Sequence, residues 1–338
     1  MIGSIDKYHV IKELGSGQFG TVYKVFDMTL KAERAIKVLH CDDKEDIAKH
    51  FKEAEIPYKC GHKNIVLVKS ADIKNLAGDV NVIIDMEYIN GGSIQDLINT
   101  SFVSVQKAIK YVSESLFGLE FAHNNGIIHR DIKPANIMLM NDVPKISDFG
   151  LSVPTKTVLK NDALYIPHTP CEVFDTGKVD IQTDIFAMGM TLYRIVNNVR
   201  DWTKIRNNIQ NYSVHIEKGT LIDKLPFMPH IPRAVKRIIK KACDKDSSKR
   251  YNTSVEFRNA LEKLNPHIDW EKNDEGHWKG IGFQDTKKYT LLLEKKLKGC
   301  KFILKINNRT VHAESKGFSN EEEAQKYLME YISKTTFK

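Results

Sequence analysis

His129-Arg-Asp-Ile-Lys-Pro-Ala-Asn136 is the stretch on which the reading of this 338-residue chain turns. One short loop there holds a carboxylate, an ammonium and a carboxamide, at Asp131, Lys133 and Asn136. Packing gives no reason for prolyl-flanked charges and an asparagine to occur together, but phosphoryl transfer does. Asp131 would accept the proton of an attacking hydroxyl, Lys133 would neutralise the migrating group and Asn136 would hold magnesium. Asp148-Phe-Gly150 follows, and a hard carboxylate beside a glycine hinge is what a second magnesium ligand needs.

Upstream, Gly15, Gly17 and Gly20 lie in Leu14-Gly-Ser-Gly-Gln-Phe-Gly-Thr-Val22. Three glycines at that spacing let backbone N–H groups approach phosphates without Cβ clashes. The motif alone also fits a dinucleotide turn or an ordinary hairpin. A dinucleotide site needs a helix after the glycines, however, and Thr21-Val-Tyr-Lys-Val-Phe26 is β-branched and aromatic. The loop, with Leu14, Ser16, Gln18 and Phe19 among its glycines, is therefore expected as a lid over nucleotide phosphates. Lys37 of Ala35-Ile-Lys37 follows on the next strand, where a cation can hold the α- and β-phosphates if an acid orients it. Glu53, on the helix that follows, is that acid.

Short apolar runs at His9–Leu14, Thr21–Asp27, Glu33–Leu39, Ile65–Ser70 and Val80–Glu87 predict a largely antiparallel sheet. One helix, from Asp46 to about Tyr58, interrupts it. From Ser93 onward helical periodicity dominates, over Ser93–Asn99, Val105–Asn124, Ile181–Asn197, Pro232–Cys243 and Ser254–Leu264. Asn90, Gly91 and Gly92 read as a flexible junction with a ligand cleft beside it. Past Leu264 three strand-like runs, Lys288–Glu294, Cys300–Ile306 and Thr310–Ser315, precede one amphipathic helix, with Asn307 and Asn308 as a hairpin turn and Ser319 and Glu322 as a capping box. The expected fold class is α+β: an N lobe over 1–89, a helical C lobe over 90–265 and a small β-β-β-α domain over 266–338.

The charge of +8 and pI near 9.0 suit a phosphate-rich partner, though the basic residues are mixed with acidic ones along the chain. Cys41, Cys60, Cys171, Cys243 and Cys300 lack any zinc-site spacing and read as free thiols in a reducing compartment. With no apolar run of membrane-helix length and no signal-like N-terminus, a soluble, cytoplasmic protein without a membrane partner is expected.

Residues 8 to 265 carry these motifs in order, and the chain resembles a eukaryotic-type Ser/Thr protein kinase, nearer in style to bacterial members than to animal ones. The resemblance implies a two-lobed kinase fold, ATP and Mg2+ as cofactors, and a protein substrate. It makes Met86 the gatekeeper, gives the Glu87 and Ile89 backbone to adenine, and lets Val22, Ala35 and Met138 sandwich the ring. It also pairs Glu172 with Arg250 and sets Asp184 beneath the catalytic-loop backbone. Lys133 favours Ser/Thr over Tyr acceptors.

Two departures stand out. Pro57 follows Glu53 by one turn and would kink or end the helix. Between Asp148 and Glu172 the family's GTPxYxAPE becomes Asp162-Ala-Leu-Tyr-Ile-Pro-His-Thr-Pro-Cys-Glu172. Matching Tyr165 to the family's tyrosine leaves Asp162 where a threonine belongs and extra residues before Glu172. Arg130 beside Asp131 suggests control by phosphorylation at Thr155, Thr157 or Ser152, with Lys49 as a second cation. The competing reading is a scaffold that binds nucleotide or partners without transfer. For residues 266–338 protein contacts, a nucleic-acid surface and a cap on the C lobe stay open, with Trp270 and Trp278 as candidate anchors. The oligomeric state is left open.

Overall fold

Alternation along Ala32–His40 turns Ala35 and Leu39 inward on a strand whose neighbours, Gly20–Asp27 and Asp79–Glu87, carry buried Val25, Val82 and Ile84. The computed structural model describes residues 4–17, 20–59, 61–76, 78–155, 157–158, 165–273 and 275–338, with the side chains at 49, 52 and 56 outside that part. Its first sheet is antiparallel, in the order Ser4–Ile5, Tyr8–Gly17, Gly20–Asp27, Ala32–His40, Asp79–Glu87, Val68–Leu76. Gln18 and Phe19 lie outside the described residues. Gly20 closes the turn with φ 103°, and a Cβ there would come within 2.3 Å of the Val38 carbonyl oxygen, so only glycine fits.

The expected strand at Ile65–Ser70 is corrected to Val68–Leu76. Ile65 instead bridges Ile146 and belongs to the C-lobe core, because a continuous apolar run does not say which core receives it. The helix spans Lys44–Lys59 and runs through Pro57. Proline removes one N–H near the last turn, where little of the helix depends on it.

The C lobe is built on helices Val105–Asn124 and Ile181–Val196, both lined with buried apolar residues. Ser93 caps helix Ile94–Thr100 with a capping box to Asp96. Gly91 and Gly92 are pinned by the backbone bonds Gly91 N–H to Leu139 O (3.0 Å) and Leu139 N–H to Gly92 O (2.8 Å). The two glycines therefore belong structurally to the C lobe rather than to a loose tether.

The tail is a larger sheet than three strands. An extra hairpin, Ile268–Lys272 with Trp278–Gly282, precedes Lys288–Lys295 and Cys300–Ile306, and the short strands Arg309–Thr310 and Lys316–Phe318 both pair with the latter. The expected strand Thr310–Ser315 is broken by a 3-10 turn at His312–Glu314. Asn307 and Asn308 form the hairpin turn as expected, both at positive φ (48° and 66°). Helix Glu321–Thr335 is capped by Asn320, whose side chain accepts from Glu323 N–H, and not by Ser319.

Trp270 is internal to the tail: its Nε1–H donates to Thr335 Oγ1 and its ring packs on Tyr289 and Tyr331. Trp278 reaches the C lobe, 5.3 Å from the Phe102 ring and 5.1 Å from that of His230. The two ends of the tail meet. His267 N–H donates to Thr336 O and Lys338 N–H to Asn265 O, each at 2.9 Å, and Pro266 bridges Phe337. No helix among the described residues is long and apolar enough to cross a membrane.

Candidate active site

Between the lobes lies a cleft of about 500 Å³. Leu14, Gly15, Ser16, Gly20, Val22, Ala35, Lys37, Glu53, Met86, Glu87, Ile89, Asn136, Met138 and Asp148 line it. Gly17 ends its strand opposite Gly20. The sequence reading missed Val66, Val68 and Ile84 in the wall, since aliphatic residues on strands carry no local mark of facing a ligand. Glu87 turns its carboxylate away, accepting from Leu67 N–H and Lys145 Nζ, both at 2.8 Å.

Lys37 sits 2.5 Å from Glu53 Oε1 and 3.0 Å from Asp148 Oδ1. Pro57 has not displaced Glu53. Burial alone would depress the Lys37 ammonium, but the Asp148 and Glu53 carboxylates outweigh it and hold Lys37 above the ordinary lysine range. Burial works against the Asp148 carboxylate too, yet Lys37 keeps its pKa below the usual range, while burial pushes that of Glu53 up. Asp148 has φ 61°, a left-handed backbone conformation that is strained for a residue with Cβ.

Asp131 Oδ2 receives Lys133 Nζ at 2.7 Å and Asn136 Nδ2 at 2.8 Å. Asp131 Oδ1 is buried with no hydrogen-bond partner among the described residues. His129 Nδ1 accepts from Asp131 N–H (3.2 Å), so its Nε2–H donates to Ser147 O (3.0 Å), and its ring packs on Phe149. Fully buried Asp184 accepts the N–H groups of His129 and Arg130, both at 2.8 Å. Burial would raise its pKa, but the hydrogen bond and charge of His123 and the His129 N–H bond hold it below the carboxylate range. Glu172 and Arg250 are paired as expected.

The segment before Glu172 is clearer in three dimensions. Counting back from Glu172 without any insertion, His168 takes the tyrosine place of GTPxYxAPE and Tyr165 the threonine place, so the match of Tyr165 to that tyrosine is corrected. His168 Nδ1–H donates to the Ile132 carbonyl at 2.8 Å. Arg194 Nη1 donates to the Tyr165 hydroxyl at 2.9 Å, and Arg194 Nη2 to Gln95 Oε1 at 2.7 Å. The Lys133 ammonium lies over the Tyr165 ring, 4.8 Å from its centroid. Asp162 lies outside the described residues, as does the Lys49 side chain. Arg130 Nη1 donates to Leu151 O at 2.9 Å, and Thr157 Oγ1–H to Pro154 O at 2.6 Å.

The protein kinase domain model matches residues 8–263. A probable serine/threonine-protein kinase of Clostridium perfringens is 31% identical over 279 residues, 78% of this chain and 39% of that protein. One of Clostridium acetobutylicum is 29% identical over 278 residues, 78% of this chain and 41% of its own length. Serine/threonine-protein kinase PknB of Mycobacterium tuberculosis is 28% identical over 276 residues, covering 77% and 43%. The chain spans about two fifths of the length of these relatives.

Proposed function

The chain belongs to the protein kinase domain family, and from that premise we propose that it transfers the γ-phosphate of Mg·ATP to serine and threonine hydroxyls of protein substrates. The observation that carries the proposal is the division of labour within Asp131. One carboxylate oxygen is held by Lys133 and Asn136, while the other is buried and has no hydrogen-bond partner among the described residues. An acceptor kept dry and unengaged suits the proton of an incoming hydroxyl.

Lys37, fixed by Glu53, would orient the α- and β-phosphates beneath the glycine loop, and Lys133 would offset charge on the migrating group. Met86, Glu87, Ile89, Val22, Ala35 and Met138 would enclose the adenine. Asn136 commits its amide nitrogen to Asp131, which leaves its carbonyl oxygen as the available donor. With the Asp148 carboxylate in the same cleft, that makes a hard-oxygen set suited to Mg2+. When bound, the metal would offset phosphate charge. The resolved Lys37–Glu53 pair speaks against a scaffold without transfer. We read the tail as a cap on the C lobe, supported by the packing of Trp278 on Phe102 and His230.

Purified protein with Mg·ATP and a generic acceptor tests the reading. Incorporated phosphate should sit on serine or threonine, including Ser152, Thr155 or Thr157 of the chain itself. Asp131→Ala should abolish transfer, and normal labelling by that variant would sink the assignment.

A further inference from the structure

We infer that Tyr165 and His168 together position the Asp131–Lys133 pair, so that an aromatic ring and an imidazole carry the work that a threonine and a tyrosine would do in the GTPxYxAPE pattern. The inference rests on the kinase reading above and names residues that reading leaves unassigned.

Three contacts hold the run Asp131-Ile132-Lys133. The Ile132 carbonyl is bonded by His168 Nδ1–H at 2.8 Å, which fixes the backbone from which both charged side chains spring. Lys133 in turn lies 2.7 Å from Asp131 Oδ2 and 4.8 Å from the Tyr165 ring centroid. A ring face offers an ammonium attraction without accepting a proton and without competing for the carboxylate. A threonine hydroxyl in that place would offer a hydrogen bond instead. The ring therefore limits where the ammonium can go while leaving its donors to Asp131 and to an incoming phosphoryl oxygen.

The two residues are themselves held. Arg194 donates to the Tyr165 hydroxyl at 2.9 Å, reaches His168 Nε2 at 3.5 Å and is tied to Gln95 at 2.7 Å. The Tyr165 and His168 rings meet at 5.1 Å between centroids. His168 must carry its proton on Nδ1 to serve Ile132, which leaves Nε2 as an acceptor facing the guanidinium. Burial and then the Arg194 charge hold the imidazole well below its ordinary pKa, so the neutral form that this requires is the one present. A second proton would put a cation against Arg194.

Kinetics of the full chain with a fixed serine-containing protein acceptor separates positioning from mere folding. Tyr165→Phe keeps the ring but loses the hydroxyl that Arg194 holds, and should lower kcat by about two- to threefold, clearly less than loss of the ring itself. Tyr165→Leu keeps bulk without a π face, and should lower kcat about tenfold with KM for ATP unchanged, within the range of one cation–π contact. His168→Ala should lower kcat at least as much, and His168→Asn, which retains an N–H near the Nδ1 position, should recover part of it. Matching thermal melts for the Leu and Phe variants keep the comparison free of unfolding. If Tyr165→Leu turns over like wild type, or if Phe and Leu fall together, the ring does not position Lys133 and the inference fails. Wild-type protein inactive on every acceptor would instead overturn the kinase reading, a different failure visible before any variant is made.

Discussion

Arg250 and Glu172 face each other through two hydrogen bonds, Nη1 to Oε1 at 2.6 Å and Nη2 to Oε2 at 2.9 Å, with the guanidinium side chain wholly inaccessible. Arg250 also donates to the Asp244 and Gln182 carbonyls and stacks over Phe186, so one residue ties helix Cys171–Thr176 to the helical core.

Removing one member of that pair strands the other. Glu172→Gln should cost about 3 kcal/mol of stability, since an arginine would stay buried beside a neutral amide. In a protein of this size that is a melting temperature lower by roughly 4 °C. Differential scanning fluorimetry reads it, and an unchanged melt would mean that solvent at the part-exposed carboxylate already screens the pair.

Glu53→Gln keeps a hydrogen-bonding group near Lys37 but removes the charge that offsets its burial. Phosphoryl transfer should fall about 10- to 100-fold, roughly 1.4–2.7 kcal/mol of barrier, with the fold intact by circular dichroism. Lys37→Met should do at least as much. Activity unaltered in Glu53→Gln would show that Asp148 alone suffices to orient the lysine.

His230 gives a signed pH effect. It is buried between the Phe102 and Trp278 rings, and neither ring nitrogen has a hydrogen-bond partner among the described residues. Burial, with lesser help from Lys272 and Lys236, lowers its pKa from 6.5 to about 4. The unfolded chain therefore takes up this proton first. Stability is complete above about pH 6.5 and falls as pH drops from there through 4, by about 3 kcal/mol for this group. His230→Phe should flatten that part of the curve of urea midpoint against pH, and an identical curve would exclude His230 as its source.

Trp278→Ala should loosen the tail from the C lobe. Deleting a buried tryptophan typically costs about 3–5 kcal/mol, and the loss should appear as faster amide hydrogen exchange across Ile268–Gly282 and around Phe102. Exchange confined to the tail alone would mean that the contact with Phe102 adds little.

Much of this site is legible in the chain because its chemistry is packed into short strings. His129–Asn136 holds three functional side chains in one loop, and Asn307-Asn308 announces a turn because few residues other than glycine tolerate positive φ at two successive positions. The rest depends on meetings at long range. His168 and Arg194 look like ordinary surface residues until helix Ile181–Val196 carries Arg194 under the catalytic loop. The strand Trp278–Gly282 was hidden by its glycines, which weaken a strand's signature. Gly280 is required, because a Cβ there would lie 2.8 Å from the Trp270 indole. The displaced helix cap differs by one residue because Ser319 and Asn320 are both good caps, and only the backbone decides between them.

The paired backbone bonds at the stem of the tail, His267 with Thr336 and Asn265 with Lys338, make it a cassette. Its two ends leave side by side, so grafting it into a surface turn of an unrelated host would stretch neither partner. What would not travel is the aromatic seat of Trp278. A recipient lacking counterparts to Phe102 and His230 would receive the cassette with an indole exposed, and solubility, rather than folding, would be the first thing to suffer.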